Sequence, residues 1–211
     1  MTDLVSAWPL FGLTVHCGNV RLRAVRDDDL PELLDLFPGD VEMDPAHPAL
    51  DGTPGGDRAR RLVQSVWRHR ATWSVDDWAL DLRVERDGRA VGVVTLEGTS
   101  FPMLRTVDTA SWIAQDARGR GTAVLMRAGA IGLAFQRLGA VAAISSARVD
   151  NAASLAVSRR LGYRDNGVSL IVTEAGPAQL THLRLERSTW VAPERIEIEG
   201  LEPCLPVFGL S

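Results

Sequence analysis

The chain is expected to fold as one α+β domain, a central and mostly antiparallel sheet flanked by helices. Three features of its 211 residues carry that expectation. The order of elements is mixed: two helical patterns early, a run of antiparallel-looking strands, then strand–helix–strand–helix–strand–strand, with no internal repeat. Asp87-Gly88 sits between two alternating runs, the composition of a tight hairpin turn. A glycine-rich stretch, "QDARGRGTAV" at 115–124, joins a strand-like run to a long apolar-patterned helix. Hydrophobic residues make up 45% and charged residues 24%, the mix of a globular protein with room for one sizeable core.

In order, "LTVHCGNVRLRAV" (13–25) alternates as an opening strand or hairpin, and "RDDDLPELLDLF" (26–37) carries Leu30, Leu33, Leu34 and Phe37 at helical spacing. The proline- and glycine-rich segment 38–57 reads as a long loop, and 58–73 as a second helix. Residues 77–101 form the Asp87-Gly88 hairpin, and "RTVDTASWIA" (105–114) is a further strand. The helix over 121–138 places Val124, Ala128, Ile131, Phe135 and Leu138 on one stripe. "AVAAISSARV" (140–149) is a strand of small and branched residues. "NAASLAVSRRLGY" (151–163) is a helix with Asp150 or Asn151 at its cap and Gly162 past its end. "VSLIVTE" and "AQLTHLRLERSTW" close the sheet as a hairpin. The domain is expected over 1–190, with 191–211 as a C-terminal tail.

The turn at 118–123 raises the chemical question. The first turn of a helix leaves about four N–H groups unpartnered, and the macrodipole draws anions there. Gly119 and Gly121 allow close approach to the backbone, and Arg118 and Arg120 add forked donors. A phosphate-bearing ligand fits, although a solvated tight turn would use the same residues. A net charge of −4, from 23 basic and 27 acidic residues, argues against a nucleic-acid binder driven by overall charge. Cys17 and Cys204 are too few for a disulfide framework or metal site and fit a reducing cytoplasm. No metal ligation is expected, because His16, His47, His69 and His182 lack ligand spacing and read as surface histidines. The N-terminus lacks the order of a secretory signal, and no apolar run approaches the roughly 18 residues of a membrane span, so neither export nor a membrane partner is expected.

With these residues in hand, the chain resembles the GNAT superfamily of acyl-CoA N-acyltransferases, in its RimJ/RimL-like branch. The family's CoA motif is Arg or Gln, two residues, Gly, one residue, then Gly or Ala. Arg118-Gly119-Arg120-Gly121-Thr122-Ala123 fits at every position. A second motif, an Asn opening the next helix and an aromatic-ended close, is matched by Asn151 through Leu161-Gly162-Tyr163. "SWIA" resembles the family's strand before the turn. The resemblance spans roughly 13–187 and implies the GNAT fold, with splayed strands forming the CoA cleft.

It further implies that the turn amides bind the CoA pyrophosphate. The backbone of Trp112, Ile113 and Ala114 would hold the pantetheine arm as an added strand would. One N–H there would stabilise the oxyanion of the attacked thioester. Asn151, Ser154 and Ser158, at 0, +3 and +7 of one helix, share a face. Ser158 stands where the family often has a tyrosine, among the cofactor contacts, and Ser154 is chosen to hydrogen-bond the departing sulfur. Asp108 is chosen to take the amine's proton, with Glu97 its rival.

The expected reaction is transfer of an acyl group, acetyl or alternatively succinyl, from acyl-CoA to a primary amine by direct attack in a ternary complex. The acceptor would be a protein N-terminus, a lysine or a small amine, and a homodimer is left open. The acids of the long loop, Asp40, Glu42, Asp44, Asp51 and Asp57, would draw cationic amines. The rival from another class is a non-catalytic acyl-CoA sensor or interaction protein with the same fold. A nucleotide-binding phosphate loop is disfavoured, because the turn lacks a Gly-Lys-Ser/Thr ending.

Overall fold

The alternating runs become strands. In the computed structural model, which describes residues 3–41, 54–173 and 176–210, these are β1 (Thr14–Cys17), β2 (Val20–Ala24), β3 (Trp78–Arg86), β4 (Arg89–Gly98), β5 (Thr106–Ile113), β6 (Ala142–Arg148), β7 (Arg164–Thr173), β8 (Gly176–Glu186) and β9 (Ile196–Glu199). The α-helices longer than one turn are α1 (Leu30–Leu36), α2 (Pro54–Ala71), α3 (Thr122–Gln136) and α4 (Ala152–Arg160). Asp87 and Gly88 both take positive φ, 51° and 79°, the sense of twist that joins β3 to β4 without splaying them. Helix α2 starts at Pro54, inside the segment that composition assigns to a loop; a proline in the first helical turn gives up an N–H that would have no partner there.

The nine strands form one sheet in the order β7-β8-β6-β5-β4-β3-β2-β1-β9. Every neighbouring pair is antiparallel except β5 and β6, which run parallel around α3. Helix α3 covers one face, where Met126, Ile131, Leu133 and Phe135 meet Leu22, Leu82, Leu96 and Val107 in the main core. The helix lies close because its stripe is small. A Cβ at Gly132 would come within 2.3 Å of Ile196, and one at Gly129 within 2.9 Å of Leu22. Each glycine costs about 1 kcal/mol of helix propensity, which the closer packing offsets.

Helices α1 and α2 cover the opposite face, with Leu30, Leu33 and Val66 packed on Val25 and Val93. An ionic net fastens α1 there. Arg23 forks onto Asp29 at 2.6 and 2.7 Å, and Arg83 reaches Asp29 at 3.1 Å. Burial alone would push the Asp29 carboxyl up. The Arg23 fork, the Arg26 N–H and the Arg83 charge outweigh it and hold the group below its ordinary value.

Composition sets 191–211 apart as a tail, yet the chain turns back into the fold. β9 pairs with β1, extending the sheet by one edge. Beyond it Cys204 and Phe208 are buried, and the Phe208 ring packs against Trp73 and Trp78 at centroid distances of 5.4 and 5.0 Å. The signal lay in Ile196-Glu197-Ile198-Glu199, whose period of two buries the isoleucines more deeply than the glutamates. The closing hairpin also starts earlier than its apolar run, at Arg164.

Candidate active site: the cleft where two parallel strands part

β5 and β6 hold together over only Thr106–Asp108 and Ala142–Ile144. Beyond Asp108 they separate, while β5 stays paired with β4 as far as Ile113. Trp112, Ile113 and the Ala114 that follows them therefore lie beyond the stretch that β6 engages, although the Ala114 N–H is already bonded to the Val91 carbonyl at 2.9 Å and the Ile113 carbonyl accepts from Arg118. An extended chain of amides could complete the ladder there.

At the mouth of the cleft lies the glycine turn. Gly119 and Gly121 take φ of 74° and 79°, a left-handed conformation that glycine adopts without strain. A Cβ at either would meet nothing within 4 Å, so the need is conformational and the outer side is open. Gly121 caps α3, and the amides of the turn and of Thr122 and Ala123 gather at that helix's positive end. Two neighbours hold the turn. Arg86, at the end of β3, donates to the Arg120 carbonyl at 2.6 Å and to the buried Thr122 Oγ1 at 2.7 Å. Arg118 donates through Nε to the Ile113 carbonyl at 3.2 Å and forks onto Asp40 at 2.6 and 2.8 Å. The hydrogen bonds from Arg118 pull the exposed Asp40 carboxyl down to about 2.

On the face covered by α1 and α2, Asp108 stands directly opposite Glu97 across β4 and β5, on the same side of β5 as Trp112. Burial pushes Asp108 up, against the pull of the Thr109 N–H and the Arg127 and His182 charges. Two strands away, Asp81 accepts from Thr95 Oγ1 at 2.8 Å and pairs with His69 Nδ1 at 2.8 Å. Sequence reading treats His69 as a surface histidine. The structure corrects this: its side chain is 15% exposed, because α2 lays it over β3. Burial would lower the His69 pKa, but the Asp81 carboxylate overcomes that and raises it. His47 lies outside the described residues, as do Glu42, Asp44 and Asp51 among the acids of segment 38–57. Asp40 is engaged by Arg118, and Asp57 pairs with Arg60 and Arg61.

The other side of the cleft is built by α3 and α4. Asn151 caps α4 by accepting from the Ser154 N–H at 3.0 Å. Ser154 is half-buried and Ser158 fully buried, although both share a helix face. Ser158 Oγ accepts from Arg127 Nη1 at 2.6 Å, and Arg127 Nη2 lies 3.4 Å from Ser111 Oγ on β5. Tyr163 and Thr109 are also buried here, their hydroxyls near each other without a well-aligned bond.

Asp108, Trp112–Ala114 and Arg118–Ala123 thus follow one another along β5 and its turn, with Asn151 and Ser154 opening α4 after β6. Ser158 lies apart from solvent, beneath the rest. Arg86, Arg127, His69 and Asp81 are the polar groups around the cleft that sequence reading missed. Arg127 alone gave a signal, as the one charged residue inside the apolar run "TAVLMRAGAIGLAF". Among the described residues no group of three or more His, Cys, Asp or Glu could hold a metal ion, and no helix is long and apolar enough to cross a membrane.

Residues 19–164 match the family model of the acetyltransferase (GNAT) domain. Solved structures show the same fold. RimJ of Mycobacterium smegmatis, in complex with CoA-disulfide, superposes with a TM-score of 0.67 at 20% identity, over 85% of this chain and 88% of that one. RimL, a ribosomal L7/L12 alpha-N-protein acetyltransferase, gives 0.62 at 18% identity, over 82% and 94%. Spermidine N-acetyltransferase from Vibrio cholerae, in complex with CoA and spermine, gives 0.60 at 16% identity, over 81% and 96%.

Proposed function

The chain belongs to the GNAT acetyltransferase family, an acyl-CoA N-acyltransferase, and from that premise we propose that it transfers an acetyl group from acetyl-CoA to a primary amine by direct attack in a ternary complex. The observation that carries the proposal is the parting of β5 and β6 at Asp108, with the open glycine turn at the far end of the same strand. The turn amides and Arg120 take the pyrophosphate, and Arg118 joins them by exchanging Asp40 for phosphate oxygens. Along the cleft, the backbone of Trp112, Ile113 and Ala114 takes the pantetheine arm, with Asn151 on the α4 side and the buried Ser158 behind it. That order brings the thioester beside Asp108.

The amine approaches from the face of α1 and α2. Asp108 takes its proton, and burial favours that choice by making the carboxylate a stronger base than an exposed one. Ser154 hydrogen-bonds the departing sulfur. No covalent enzyme intermediate is involved: Cys17 and Cys204 are buried away from the cleft, with thiols pushed up to about 11 by burial. Asp108, Glu97 and Asp81 line the acceptor face, which supports a cationic amine, whether a protein N-terminus, a lysine or a small amine; succinyl is the alternative acyl group. Relatives of the same fold act on a ribosomal protein's α-amine or bind spermine, and both are cationic amines. The free thiols support a cytoplasmic setting.

The test is CoA release from acetyl-CoA with a panel of amines. Asp108→Asn is expected to lower kcat by about 10²–10⁴-fold while CoA affinity is kept. Activity in the parent protein should rise with pH through the raised Asp108 pKa, since the base works deprotonated. Unchanged kcat in Asp108→Asn would remove Asp108 from the reaction, and no thiol release with any amine would remove the transfer itself.

A further inference from the structure

We propose that Arg127 acts as a positioning residue for the leaving group, holding a fixed positive charge under the cleft that stabilises the thiolate as the amide forms. The inference rests on the acyl-CoA reading above and concerns the face of β5 opposite Asp108. Arg127 is 5% exposed, in the middle of an otherwise apolar helix. No carboxylate forms an ion pair with it among the described residues; it donates instead to the hydroxyls of Ser158 and Ser111, from α4 and β5. Among the described residues its Nε has no hydrogen-bond partner, and the buried hydroxyls of Thr109 and Tyr163, close to each other, make no well-aligned bond either. A buried guanidinium among neutral hydroxyls is costly, since arginine does not shed its proton. Packing alone does not ask for it, because leucine or methionine would fill the same space in α3. Burial pulls the Arg127 pKa down, and Tyr163 and Asp108, the latter on β5 where the strands part, draw it back.

The position matches what the reaction needs. Ser111 lies three residues past Asp108, where β6 has left β5. A thioester held beside Asp108 would set its sulfur along Thr109 and Ser111, and Ser111 is the β5 residue that Arg127 reaches at 3.4 Å. The amine, neutral after giving one proton to solvent, forms the C–N bond with its lone pair, and the C–S bond breaks with its electron pair on sulfur. The ammonium proton passes to Asp108, and the thiolate then takes a proton from solvent. Negative charge thus grows on sulfur above a fixed cation in a site of low dielectric.

The test is to titrate the thiol of CoA bound to the full-length protein by thiolate absorbance, with the ligand-free protein as reference. Cys17 and Cys204, pushed up to about 11, stay silent over the useful range. The bound thiol is expected to lose its proton at least one unit below the free value of about 8.5, a tenfold gain in thiolate at low fraction. Arg127→Met should bind CoA and return the thiol to its free value, and Arg127→Lys should keep part of the shift. In turnover, Arg127→Met should lose tenfold or more in kcat with the acyl-CoA KM within about twofold. A bound thiol that titrates at its free value in the parent protein overturns the proposal, as does an equal shift in Arg127→Met. If Arg127→Met fails to fold, the parent titration and Arg127→Lys decide between the same two results. Failure of CoA to bind the parent protein would instead overturn the acyl-CoA reading on which the proposal rests.

Discussion

Replacing Gly121 separates the backbone of the turn from the space around it. Gly121 takes a φ of 79°, and a Cβ there would meet nothing within 4 Å. Any L-residue at that φ costs about 1–2 kcal/mol. Against a typical domain stability of about 5–15 kcal/mol the protein stays folded, with a melting temperature lowered by about 2–8 °C at this chain length. Gly121→Ala and Gly121→Trp should share that cost, because both side chains point into open space. Their effects on CoA should differ. Hydrogen bonds to a charged acceptor contribute about 1.5–3 kcal/mol each, so an indole that keeps phosphate from two turn amides should weaken CoA binding about 10²–10⁴-fold. The alanine methyl should cost about tenfold or less. Isothermal titration gives the affinities, and thermal unfolding gives the shared strain. A folded Gly121→Trp protein that binds CoA as tightly as the parent would refute the assignment of the turn to pyrophosphate.

Asp40→Asn should strengthen CoA binding by up to about fivefold, the scale of one exposed ion pair, because Arg118 no longer has to leave a carboxylate to meet a phosphate. Unchanged affinity across a salt series would mean that Arg118 stays out of the phosphate site. His69→Gln tests the acceptor-face dyad through stability. A histidine whose folded pKa is raised stabilises the fold fully below its unfolded value of about 6.5 and gives that stability up as pH rises through the folded value. Melting temperature should therefore fall more between pH 6 and 8.5 in the parent than in His69→Gln, and parallel curves would contradict the Asp81 pairing.

What could be read in the sequence follows the range of the interactions concerned. The Asp87-Gly88 turn, the Asn151 cap and the glycine turn are each settled within a few residues, where φ, an orphan N–H or a helix end dictates the residue type. Periodicity could place Asp108 on the same face as Trp112, because one strand's alternation decides which side chains share a face. It could not reveal that Asp108 faces Glu97, or that Arg86 clamps Thr122, since those pairings depend on register between strands and on where α3 lands. The serines of α4 make the point most sharply. Ser154 and Ser158 fall on one helix face, and composition offers no ground for preferring either. The packing of α4 against α3 sets their burial apart, leaving Ser154 half-buried while Arg127 reaches 31 positions along the chain to Ser158. A single charge in an apolar helix was therefore the only local trace of a polar cluster drawn from β5, α3 and α4. Such a residue is better read as half of a pair whose partner is still to be found than as an imperfection in an amphipathic pattern.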